Sequence, residues 1–98
     1  MTIDIKRNKK EVTIVVAGRL DTNTAPALDK VVNEDASDAE GIIMNMGELE
    51  YISSAGLRVL LTAHKKMLKA GFLRLINVQE GVMEVLKMTG FARIMDIE

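Results

Sequence analysis

The stretch YISSAGLRVLL, residues 51–61, decides how this chain is read. An apolar run ends there, two serines follow, and a helical pattern begins. Serine is among the best helix N-cap residues, because its hydroxyl accepts a hydrogen bond from an otherwise unpaired N–H of the first turn. Taken alone, Ser53 and Ser54 are caps. The same geometry allows more. A helix N-terminus presents free N–H groups and roughly half a positive charge, so a phosphate on Ser54 would leave the fold intact. It would add roughly −1.5 to −2 units of charge to a chain of formal charge −1. A partner docked over that spot would have to desolvate an unpaired dianion, which is costly. The site can therefore switch binding without switching structure. Ala55 and Gly56 keep the surroundings of the hydroxyl small. Gly56 spends helix propensity, which close packing against the adjacent strand or loop also explains.

Downstream, Leu57, Leu60, Leu61, His64 and Leu68 form a helical stripe, and Arg58, Lys65, Lys66 and Lys69 mark the wet side. Gly71 is placed as the residue just past the helix. Residues 72–76, FLRLI, read as a strand. Residues 79–89 read as a shorter helix on Val82, Val85, Leu86 and Met88 or Thr89, with Gly90 past its end, and residues 94–97 as a last strand.

Upstream, Gly41 opens IIMNM, dense enough for a central strand covered on both faces, and residues 47–52 read as a loop. Residues 2–7 alternate as a half-exposed strand, Asn8-Lys9-Lys10 makes a turn, and EVTIVVA, residues 11–17, is a β-branched strand that Gly18 ends. Asp21, Thr22, Asn23 and Thr24 are capping types and Pro26 suits a first turn, so a helix is expected over about residues 24–35, with Leu28, Val31, Val32, Ala25 and Ala27 on its inner face. The order β-β-α-β-α-β-α-β predicts one α/β domain over residues 1–98. Its sheet is mixed, of four to five strands, with helices packed against it and parallel neighbours after the opening hairpin.

Composition narrows the function. Acidic and basic residues number 14 and 13, so no basic face invites nucleic acid. There is no Cys, hence no disulfide and no thiolate site. No apolar run approaches the roughly 20 residues of a membrane span. The expectation is a soluble, cytoplasmic protein. An enzyme is not expected. There is no glycine-rich phosphate loop with its lysine. His64, the single histidine, lies ten residues beyond Ser54, about 15 Å along a helix, and has no second metal ligand at a suitable spacing. No metal and no cofactor is expected. Asp21, before Thr-x-Thr and a helix, reads as a turn or cap former.

Together with AGRLDTNTAPAL upstream and LINVQEGVMEVLKMTGFARI downstream, the opening stretch resembles the STAS-domain family, and within it the bacterial anti-sigma factor antagonists. The resemblance runs over about residues 3–97. It implies a small cytoplasmic domain whose unphosphorylated form binds an anti-sigma factor that is also a serine kinase, freeing a sigma factor. The kinase then phosphorylates the antagonist and ends the complex, and a metal-dependent serine phosphatase restores it. Ser54 aligns with the phosphoacceptor. Ser53 stands where many members have Asp. The missing carboxylate makes Ser53 the alternative acceptor and leaves open a member that is never phosphorylated. Gly18, Leu20 and Asp21 match the turn that joins the kinase-binding surface. Asn23, Ser53, Ala55, Gly56, Leu57 and Arg58 complete the implied partner-binding set. The second implied role is a STAS accessory subunit of a lipid-transport ATPase or a signalling scaffold, in which the serines only cap.

Overall fold

The computed structural model describes residues 1–98. Strand β1 (Thr2–Asn8) turns through Lys9 and Lys10 into β2 (Glu11–Leu20). Helix α1 (Ala25–Lys30) continues into a π-helical turn (Val31–Asp35). Then follow β3 (Gly41–Ile52), α2 (Ser54–Ala70), β4 (Phe72–Ile76), α3 (Glu80–Met88), α4 (Phe91–Ile94) and β5 (Asp96–Ile97). The five strands form one sheet in chain order. β1 is antiparallel to β2 and the remaining pairs are parallel.

That strand order explains the packing. Parallel crossovers are almost always right-handed, so strands added successively in one direction place their helices on one face. On that face Val12, Ile14 and Val16 of β2, Ile42, Met44 and Met46 of β3, and Leu73 and Leu75 of β4 are buried. The opposite face carries Thr13, Val15, Ile43, Asn45, Arg74 and Ile76, all half-buried. β3 is thus covered on one face only, not both. All 24 buried apolar residues form a single cluster. No polar or charged residue is buried, so every group with chemistry to offer lies at the surface. No helix is long and apolar enough to cross a membrane.

Several boundaries differ from expectation. Gly18 does not end β2. It adopts φ +97°, in the left-handed region open to glycine, and the register against β3 shifts on both sides of it. The strand bends there and continues to Leu20. Residues 47–52 are strand, not loop, because Ala17, Gly18, Arg19 and Leu20 supply the pairing partners for Glu48, Leu49, Tyr51 and Ile52. On α2 the inner stripe is Gly56, Leu57, Val59, Leu60, Ala63 and Met67. Leu61 and His64 fall at its margin and Leu68 is exposed. Ala27 and Met88 are also exposed. The last strand is confined to two residues, because α4 takes up Phe91–Ile94.

Lysines and arginines fasten the helical layer to its surroundings. Lys66 Nζ donates to the carbonyls of Val32 at 2.8 Å and Ala36 at 3.4 Å, where a helix end favours a cation. It is not simply solvated. On the same segment Arg7 donates to Asp38 at 2.7 Å and to the Asp35 carbonyl at 2.9 Å, tying the π-turn to the hairpin.

Candidate functional site

The site is assembled where β2 and β3 end side by side. The Ser53 N–H donates to the Leu20 carbonyl at 2.8 Å. That bond brings the residue after each partner, Asp21 and Ser54, to the same rim of the sheet. Beneath it, Gly56 packs against Leu20 and Ile52. Leu20, Gly56 and Leu57 are buried, so these three members of the expected partner-binding set support the surface from below.

The two serines divide the work. Ser53 is the N-cap of α2, extended in backbone, and its Oγ accepts from the Gly56 N–H at 3.4 Å. Ser54 is the first helical residue and is exposed. Its hydroxyl has no hydrogen-bond partner in the protein. Ala55 is half-buried, and Arg58, one turn further along, is exposed.

Asp21 builds the neighbouring loop. Its Oδ1 accepts from the backbone N–H groups of Asn23 at 2.9 Å and Thr24 at 3.1 Å. Thr24 completes the knot, its hydroxyl donating to the Arg19 carbonyl at 2.7 Å and accepting from the Asp21 N–H at 2.8 Å. Desolvation pushes the Asp21 carboxyl up, but the N–H groups of Thr24 and Asn23, the Thr24 hydroxyl and the Arg19 charge together hold its pKa below the usual value. Asp21 is therefore a turn former whose Oδ2 stays without a protein partner. The Asn23 side chain is exposed. Gly18 lies further back on β2, at the bulge, against Met1.

Two features of the site were not legible in the sequence. The Arg19 guanidinium sits 4.1 Å from the centroid of the Tyr51 ring, a pairing created by the register of two parallel strands. A groove of about 520 Å³ opens between α1 and α2, with Pro26, Asp29 and Asn33 on one wall and Ala55, Arg58 and Thr62 on the other. Periodicity marks the wet face of each helix separately and does not reveal that the two faces border one groove.

The model of the STAS domain family matches residues 2–98. This chain belongs to the STAS domain family. The anti-sigma-B factor antagonist of Bacillus subtilis is 28% identical over 98 residues, covering 99% of this chain and 90% of that protein. The protein of the same name from Listeria monocytogenes is 29% identical over 102 residues, covering 100% and 89%. Among solved structures, an anti-sigma factor antagonist from Mycobacterium paratuberculosis superposes with a TM-score of 0.88 at 20% identity over 98% of this chain and 83% of that one. At these identities the structural likeness speaks for the fold. The STAS fold seen here is thus the one expected from the sequence resemblance, with five strands.

Proposed function

We propose that this STAS domain is an anti-sigma factor antagonist that works by partner switching. Unmodified, it binds an anti-sigma factor serine kinase through the rim formed by Asp21, Asn23, Ala55 and Arg58, and a sigma factor is freed. The kinase moves the γ-phosphoryl group of ATP to Ser54. An Oγ–P bond forms, the bond from the γ-phosphorus to the bridging oxygen breaks, ADP leaves, and the hydroxyl proton passes to a base on the kinase. A metal-dependent serine phosphatase hydrolyses the ester and resets the protein. This places the protein in the cytoplasm, as a binding partner and not as a catalyst.

One observation carries the reading. Ser53 already caps α2, so Ser54 is left exposed, unbonded and at the point of greatest positive helix potential. Ser53, the alternative acceptor, would have to give up its bond to Gly56. The names of the curated relatives agree with the reading. So do the structures of SpoIIAA in unphosphorylated and phosphorylated forms, which superpose on this chain with TM-scores of 0.74 and 0.68.

The test is incubation with the cognate kinase and ATP, followed by mass spectrometry of the modified residue and affinity measurement. Modification at Ser54, retained binding by Ser54→Ala that ATP no longer abolishes, and a phosphorylated protein that melts cooperatively but no longer binds are expected. Undiminished binding by the phosphorylated protein overturns the proposal. So does native co-purification with an ABC-type ATPase in place of a kinase.

A further inference from the structure

Arg58 is a cation with no assigned task inside the fold. It makes no ion pair and its guanidinium donates no hydrogen bond, although Arg7 and Arg74 both engage carboxylates. It stands on α2 four residues after Ser54. Both residues are exposed, so they share one outer row of the helix, where side chains at i and i+4 meet. The next member of that row, Thr62, donates its hydroxyl to the Arg58 carbonyl at 3.0 Å and leaves the guanidinium free. An anion placed N-terminal to a cation at this spacing is the more favourable orientation. A guanidinium can also bind phosphate oxygens bidentately. In the unmodified protein Arg58 lines the groove between α1 and α2, opposite Asp29 and Asn33.

We propose that Arg58 is the intramolecular reader of the state of Ser54: it faces the groove while the hydroxyl is free and folds back along α2 onto the phosphate once Ser54 is modified. This inference rests on the proposed modification of Ser54 and extends it. The switch then has two parts. The modification adds an anion at the helix start and withdraws a cation from the wall of the adjoining groove. Asp29, across the groove on α1, loses the basic side chain opposite it, so the groove turns more acidic by more than the phosphate alone accounts for. Ser53 does not share this arrangement. It stands five residues before Arg58 and its hydroxyl is turned to the Gly56 N–H.

The experiment uses the full chain with phosphoserine installed at position 54 during synthesis, so it needs no kinase. A phosphorus NMR titration reads the second ionisation of the phosphate in the parent and in Arg58→Gln. The parent phosphate should ionise about 0.2–0.4 pH unit lower at low ionic strength, with the difference shrinking in high salt. Arg58→Lys should recover part of it. Phosphoserine at position 53 should titrate alike in the parent and in Arg58→Gln. Coincident titrations of phosphoserine 54 in both proteins overturn the inference. That result leaves the kinase assay untouched, and conversely a kinase that never modifies Ser54 refutes the proposed function while the titration still measures the pair.

Discussion

Gly56 of α2 and Leu20 of β2 meet across a gap that cannot hold a methyl group. A Cβ on Gly56 would stand 2.7 Å from Leu20 Cγ and 2.9 Å from Ile52 Cγ1. Leu20 is completely buried and has no room to yield. The contact fixes how closely the start of α2 approaches the ends of β2 and β3, and so where Ser54 stands relative to Asp21.

Gly56→Ala should therefore destabilise the protein despite the better helix propensity of alanine. Overpacking costs about 1–3 kcal/mol and the propensity gain returns at most about 1 kcal/mol. A net loss near 1 kcal/mol in urea unfolding is expected. An alanine variant more stable than the parent would show that the approach of α2 is not limited by this contact.

The division between the serines can be weighed by stability alone. Ser53→Ala removes the cap and should cost about 0.5–1 kcal/mol, toward the low end of such losses because the bond is long. Ser54→Ala removes a hydroxyl without a partner and should change stability by less than about 0.5 kcal/mol. Thermal unfolding of the two variants side by side decides it. The reverse ranking would assign the cap to Ser54.

Acid should loosen the molecule through Asp21 and Asp38. Hydrogen bonding to Arg7, then its charge, lowers the Asp38 pKa from 3.8. Donors of the β2–α1 turn lower that of Asp21 from the same value. Each folded-state pKa lies below its unfolded value, so each contribution is complete above the unfolded pKa and is lost as pH falls through the folded one. The stability difference between the parent and Asp38→Asn should be present at neutral pH and fade below about pH 4. A difference that persists unchanged into acid would exclude the charge of Asp38 as its source.

Lys66 should matter more than its polar neighbours on α2. Its ammonium group serves two carbonyls at the end of the first helical segment, and Val32 and Ala36 are themselves buried. Lys66→Met keeps the stem and removes the donor, with an expected cost of about 1 kcal/mol. Lys65→Met, at an exposed position, should be close to neutral. Equal effects would mean that the carbonyls find water when the lysine is gone.

Local chemistry in the sequence is enough for the hairpin and for the element order apart from α4 (Phe91–Ile94), which it does not show. It also supplied the start of α2 at the two serines and the end of α3 before Gly90, since caps, turns and periodicity act over a few residues. The extra lengths of β2 and β3 were not legible. Glycines at 18 and 47 look like stops. They become strand because Ala17–Leu20 and Glu48–Ile52 face one another across a bulge. The buried stripe on α2 lies one position from the one periodicity predicts, because Leu61 and Leu68 are as apolar as Val59 and Ala63. Only the approach of the sheet selects the side that is covered. The serine pair could be named from the sequence, but not which serine caps and which is free. That assignment depends on the direction in which the backbone enters α2, and the bond from Ser53 to Leu20, between strands far apart in the chain, sets that direction.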